Sequence, residues 1–192
     1  MKLNIKKRTT GPQLKKVIIY GEDGSGKSTY ADRYCKENHL KPICIDIDDT
    51  NYTDVDRVNI NQKSDMTLFT SLKNTIQAIV ESADYDTIII DGIGTVFDGL
   101  TSDAKGIKKY ADRAERFNYL LRKFMASNKN LIFIGQIDMK IIYNEEHQTP
   151  KSIIKLNSLV NERYCTIREG NKFSVECEKY RGDEGMLKTF PL

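Results

Sequence analysis

Apolar residues follow two rhythms along this chain. Short unbroken runs rich in β-branched residues stop at glycine or aspartate, and longer stretches carry apolar positions three and four apart. The first rhythm predicts strands covered on both faces; the second predicts helices that bury one stripe. Strands are expected at Lys16–Tyr20, which ends against Gly21, at Ile43–Ile47, entered through Pro42, at Thr87–Asp91 and at Leu131–Gly135. Helices are expected at Ser28–Asn38, with Tyr30, Ala31, Tyr34 and Cys35 on one face, and at Asp65–Ser82, where Phe69, Leu72, Ile76, Ile79 and Val80 recur. A longer helix is expected over Gly106–Ser127, striped by Ile107, Tyr110, Ala114, Phe117, Leu121 and Phe124. Tyr164–Arg168 and Lys172–Glu178 flank Glu169-Gly170-Asn171, a turn signal that predicts a β-hairpin.

Strands alternating with helices predict an α/β fold, a mostly parallel central sheet with helices on both faces, closed by a C-terminal hairpin that adds antiparallel strands at one edge. With 192 residues and no repeat or Pro/Gly linker, one domain is the simplest organisation: a basic N-terminal extension over 1–14, then a single domain over 15–192. The extension carries Lys2, Lys6, Lys7 and Arg8 without an apolar run behind them, so it does not read as a signal peptide. No apolar run is long enough to cross a membrane, and the expected location is the cytoplasm. Cys35, Cys44, Cys165 and Cys177 lack Cys-x-x-Cys spacing, and His39 and His147 are too few to add a zinc site, so reduced, buried thiols are expected. The net charge of +3 does not by itself identify a nucleic-acid partner.

The most specific chemistry lies at Gly21-x-x-x-x-Gly26-Lys27-Ser28, between a predicted strand and a predicted helix. A triphosphate needs several backbone N–H groups pointing inward with no side chains in the way. Glycines at 21, 24 and 26 permit that wrap, and the helix that follows offers its positive end. The segment predicts a nucleotide site formed by Gly21, Asp23, Gly24, Ser25, Gly26, Lys27, Ser28 and Thr29. Lys27 would place its charge on the β and γ phosphates, and the Ser28 hydroxyl would ligate Mg²⁺ beside ATP. Asp91, closing the TIIID strand, is the expected second contact to the metal. Asp48 is the candidate catalytic carboxylate because it lies toward the C-terminal end of its strand, with Asp46 and Asp49 as rivals. Gln136, after LIFIG, is a candidate sensor of the γ-phosphate. Lys179 and Arg181 could act as a cationic finger, in cis or across a subunit interface.

In the order VIIYGEDGSGKST, KPICIDIDD, YDTIIIDGIG, LIFIGQ and CEKYRG, from about Lys15 to Arg181, the chain resembles the RecA-type branch of P-loop ATPases. Within it, the chain is most similar to small phage-encoded AAA/RecA-like nucleotide-binding proteins, a group that includes single-strand-annealing recombinases. The resemblance implies a RecA-like P-loop NTPase that binds ATP and Mg²⁺ and acts on single-stranded DNA as a homo-oligomer, in recombination or replication, with protein partners from those processes. The host cytoplasm would then be its location. It places the water-activating carboxylate on Asp48, where the family pattern ends in Glu, and notes Gly92 where a hydroxyl residue is common. It also implies a trans-acting finger at Lys179 and Arg181, and DNA-facing loops at 98–109 and 137–155, the latter with Lys140, Tyr143, Lys151 and Lys155.

Two other functions fit the phosphate loop. A small-molecule or nucleotide kinase would share GEDGSGKST, but Asp32-Arg33-Tyr34 falls inside the predicted first helix, and Arg113, Arg116 and Arg122 have the spacing of a solvated helix face rather than a lid. A nucleotide-gated binding protein with little turnover would also fit, because Asp48 is one methylene shorter than a glutamate.

Overall fold

The computed structural model describes residues 13–50, 54–60, 66–103, 106, 108–136, 156, 158–180 and 189–191. Eight strands form one sheet, β1 (Lys16–Gly21), β2 (Pro42–Asp46), β3 (Asp56–Asn59), β4 (Thr87–Asp91), β5 (Asn130–Gln136), β6 (Glu162–Glu169), β7 (Lys172–Tyr180) and β8 (Thr189–Pro191). Among the described residues, the helices α1 (Lys27–Glu37), α2 (Leu68–Glu81), α3 (Ile93–Ser102) and α4 (Lys109–Ala126) accompany them. The spatial order is β3-β2-β4-β5-β1-β6-β7-β8. Every pairing from β3 through β6 is parallel, and β7 and β8 continue antiparallel.

The fold predicted from the apolar rhythm is the one observed, with differences that have physical causes. β6 is parallel to β1 and joins the central set, so only β7 and β8 are antiparallel additions. β3 escapes the apolar pattern because it is a short edge strand whose residues are mostly solvent-facing. β8 spans three residues, too few for a periodic signal. The expected loop over 98–109 begins and ends in helix: α3 runs to Ser102 and α4 begins at Lys109. Gly94 and Gly99 weaken the helical signal there. Ile93, Val96 and Leu100 nevertheless fall on one buried face, and Gly99 lets α3 approach Leu68 of α2 where a methyl group would lie 2.3 Å from its side chain.

The sheet divides the core in two. On one face α1 packs through Tyr30, Ala31, Tyr34 and Cys35 against Val17, Ile19, Ile89, Ile132 and Ile134. On the other, α2, α3 and α4 cover Ile18, Ile45, Ile88, Ile90, Leu131 and Phe133 with Leu72, Ile76, Leu100, Phe117, Leu120 and Phe124. β4 and β1 are buried on both faces, as their unbroken apolar runs require. All four cysteines are buried and none is in a disulfide, and burial pushes the Cys35 thiol up to about 12, so these thiols pack rather than react.

One polar knot is buried beside α1. Glu162 opens β6 and is 4% exposed. Its Oε2 accepts hydrogen bonds from Tyr34 Oη at 2.7 Å and Tyr164 Oη at 2.8 Å, and Lys15 Nζ donates to Oε1 at 3.2 Å. Burial and this carboxylate hold both phenols well above the ordinary tyrosine range. The knot ties α1 to β6 and to the chain entering β1, and so fixes the helix that follows the phosphate loop. Glu162→Ala would strand two buried hydroxyl donors, and a loss of about 2–4 kcal/mol is expected in urea unfolding.

Candidate functional site

Parallel registration brings the sequence-predicted residues to one edge. Gly21 at the end of β1 is level with Gln136 of β5 and with Thr166 of β6, and Asp46 of β2 is level with Asp91 of β4. A cleft of about 1040 Å³ opens there. Asp23, Gly24, Gly26, Lys27, Ser28, Thr29, Asp48, Asp91 and Gln136 all line it.

The loop over Gly21–Gly26 owes its shape to positive φ angles at Gly24 (66°) and Gly26 (87°) and to a buried support. Ser25 is fully buried; its Oγ lies 2.6 Å from Thr166 Oγ1 and 2.7 Å from the Glu22 carbonyl oxygen. At Gly21 a methyl group would fall 2.3 Å from Thr166 Oγ1 and 2.4 Å from the Thr166 carbonyl oxygen. Only a bare Cα fits between β6 and the loop. Ser25 thus holds the cradle from below rather than facing the cleft. Its partner is Thr166, a residue that no local motif marks.

Lys27 Nζ donates to the carbonyl oxygens of Glu22 (2.7 Å) and Gly21 (3.3 Å). Burial lowers its pKa from the ordinary lysine value, opposed by the negative charges of Asp23, Asp91 and Asp48. A bound triphosphate would bring negative charge into direct contact with this half-buried ammonium, and would draw it from its own loop.

Opposite Lys27, Asp91 Oδ2 accepts from Ser28 Oγ at 3.0 Å and lies 3.0 Å from Thr50 Oγ1. Two hydroxyls and a carboxylate form an oxygen donor set suited to a hard cation such as Mg²⁺. Among the described residues no group of three His, Cys, Asp or Glu side chains could hold a metal, so a cation here would depend on phosphate oxygens as well. Ser28 and Asp91 are the residues that would hold it.

The three acidic candidates separate by position. Asp46 is 2% exposed; its Oδ1 accepts from the Thr50 N–H at 3.0 Å, and its Oδ2 is 3.7 Å from Arg57 Nη1. It shapes the loop that delivers Thr50. Asp49 takes a positive φ of 52° and is exposed away from the cleft lining. Asp48 is the one of the three that lines the cleft. Its carboxylate occupies the space above Gly92, where a methyl group would meet Oδ1 at 2.5 Å. Gly92 also has a φ of 90°, so the residue after the Asp91 strand is glycine for two reasons: its backbone conformation and the room Asp48 takes.

Lys179 lies in β7 opposite Arg163, at the end of the hairpin remote from Gly21. It does not join the cleft of its own chain, which corrects the cis reading of this residue. Arg181 and the segment over 137–155, with Lys140, Tyr143, Lys151 and Lys155, lie outside the described residues. Arg113 is expected from its spacing on a solvated face; instead it lines the cleft, with its guanidinium 4.0 Å over the Phe97 ring and Nη1 donating to Thr101 Oγ1 at 3.2 Å. Sequence reasoning misses it because the α3 residues that hold it belong to an element the apolar rhythm conceals. Asp32 and Arg33 pair with Lys36 and Glu37 along α1, and Tyr34 is buried, so Asp32-Arg33-Tyr34 forms no acceptor site.

A glycine-shaped phosphate loop between β1 and α1, facing an aspartate on β4 with β5 in between, defines a RecA-like P-loop nucleotide-binding protein. A family model described as an AAA domain matches residues 14–164, and the chain belongs to that family, whose domain is a P-loop ATPase module. Comparison with curated proteins finds no match. Among the described residues, no helix is long and apolar enough to cross a membrane.

Two measurements check this geometry. Lys27→Ala should weaken nucleotide binding at least tenfold, since a charge-assisted hydrogen bond contributes roughly 1.5–3 kcal/mol; titration calorimetry reads the change. Gly92→Ala should cost roughly 1–3 kcal/mol in unfolding through strain at positive φ. Gly94→Ala, where a methyl group meets nothing within 4 Å, should be neutral or stabilising by up to about 1 kcal/mol.

Proposed function

We propose that this protein is a Mg²⁺-dependent ATPase that works on single-stranded DNA in recombination or replication, as a homo-oligomer in the cytoplasm, in the host's if the gene is a phage's. The observation that carries the catalytic part is the placement of Asp48 in the same cleft as Lys27, with its carboxylate against Gly92, the residue after Asp91, which bonds Ser28. Bound Mg²⁺ would offset charge on the β and γ phosphates. Lys27 would bind the same phosphates, and Asp48 would accept a proton from the attacking water or orient it. Gln136, exposed at the tip of β5 and level with Gly21, stands where loss of the γ-phosphate would be felt. It is also the last described residue before the segment over 137–155, which supports a role in relaying nucleotide state.

The DNA part rests on the resemblance to RecA-like proteins and on the position of Gln136. Lys179, remote from its own cleft, suits a finger offered to a neighbouring subunit. Partner proteins from replication or recombination would follow from the same reading.

Steady-state ATP hydrolysis with and without oligothymidylate tests the proposal, with Lys27→Ala as the blank. Turnover stimulated by DNA is the expected result, and Asp48→Asn should retain ATP binding while turnover falls at least tenfold, within the range general-base catalysis supplies. Tight ATP binding without turnover in the parent would replace the ATPase with a nucleotide-gated binder. Phosphate transfer to a nucleoside monophosphate would make it a kinase.

A further inference from the structure

α4 carries a line of cations that the nucleotide site does not use. Lys109, Arg113, Arg116 and Lys123 fall within a narrow arc of the helix, over roughly 21 Å at 1.5 Å per residue. Each lies over an aromatic ring: Lys109 Nζ 5.0 Å from the centre of Tyr110, Arg113 Cζ 4.0 Å from Phe97 and 5.2 Å from Tyr110, Arg116 Cζ 5.6 Å from Phe69, and Lys123 Nζ 5.8 Å from Tyr119. Among the described residues none of the four forms an ion pair, whereas Arg33, Lys36 and Arg163 each do. Rings hold these stems in place while the cations stay out of ion pairs, so an incoming anion meets charges already ordered. Asp112, in the first turn of α4, is the acid nearest the line, and Glu115 lies on the far side of the helix.

The start of α4 adds an independent observation. Lys108 is the N-cap with no side-chain cap hydrogen bond, and Lys109 opens the first turn. Cations at the positive end of a helix dipole work against helix stability, so these two lysines oppose the element they begin. An anion bound there would relieve both charges, although the Lys109 and Ala111 N–H groups already donate to the Gly106 and Lys108 carbonyl oxygens, so the lysine side chains rather than the helix end would hold it. Tyr110, beside them, is 58% exposed, a ring open to stacking.

We propose that this face of α4 is the track for single-stranded DNA: phosphates along Lys109, Arg113, Arg116 and Lys123, and a base stacked on Tyr110. A row of cations with one exposed ring, Tyr110, suits a flexible single strand, whose bases are free to stack and whose backbone is read by charge. A duplex would satisfy the cations but leave Tyr110 without a base. Because Arg113 also lines the nucleotide cleft, the track begins at the site where ATP would bind. This assignment rests on the DNA-dependent function proposed above and names the surface responsible.

Fluorescence anisotropy of a labelled oligothymidylate, titrated across salt concentrations in the presence of ATP, provides the test. The double variant Arg116→Glu/Lys123→Glu, both positions outside the cleft lining, should bind at least tenfold more weakly. Its plot of log affinity against log salt should be shallower by about 0.7 for each phosphate no longer neutralised. Asp112→Asn should bind more tightly, and Lys36→Glu, on α1 across the sheet, should bind as the parent does. Unchanged ATP affinity in the double variant reports an intact fold. If the parent binds the strand and the double variant and Asp112→Asn both match it in affinity and salt slope, the α4 track is wrong while the proposed function stands. Failure of the parent to bind the strand at all overturns both.

Discussion

Dense negative charge on a small ligand can be met only if donors from distant parts of the chain arrive at one edge together. Here that convergence comes from parallel pairing. β2, β4, β5, β1 and β6 all end on the same side, so Asp46 stands level with Asp91, and Gly21, Gln136 and Thr166 stand level with one another two residues further along, although all come from distant parts of the sequence. The cradle itself has little packing of its own. It keeps its shape because Ser25 is pinned to Thr166 and because Gly21 leaves no side chain between the loop and β6. A strand outside the phosphate motif therefore decides where the motif sits.

Electrostatic balance at that edge favours an occupied site. Lys27 is half-buried among carbonyl oxygens, with Asp23, Asp48 and Asp91 near enough to oppose the effect of its burial. On the other side Ser28 and Thr50 both address Asp91. Nucleotide phosphates and a cation would replace these internal contacts with stronger charge-assisted ones while leaving the strands in place. The two aspartates of the β2 exit divide the labour: Asp46 is occupied in holding Thr50, and Asp48 remains directed at the cleft.

The two faces of the sheet differ in kind. Among the described residues α1 is the helix that covers one face, and its Arg33 and Lys36 are paired along the helix or to Asp54. α2, α3 and α4 cover the other, where Arg113 and Arg116 lie over rings supplied by α3 and α2. Packing three helices on one side produces a surface on which cations are ordered by aromatic neighbours rather than neutralised by carboxylates. That surface meets the nucleotide cleft at Arg113, so the two regions share a residue without sharing a chemistry.

Much of this is readable from residues near one another in the chain. The phosphate loop is a short local motif, and its glycines, Lys27 and Ser28 are chemically sufficient to mark a nucleotide site wherever a strand precedes and a helix follows. Buried strands announce themselves because a strand covered on both faces has no room for polar residues, and so β1, β2, β4 and β5 are legible, as are α1, α2 and α4 from their stripes. What tertiary structure alone decides is long-range. β3 and β8 exist because a neighbouring strand offers hydrogen bonds, not because their residues are apolar. α3 forms because its burial against α2 and α4 outweighs two glycines. Choosing Asp48 over Asp46, finding Thr50 and Thr166, and bringing Arg113 to the cleft all depend on which strand tips become neighbours. Local sequence sets backbone conformation and charge; only the closed sheet determines which charges face each other across the cleft.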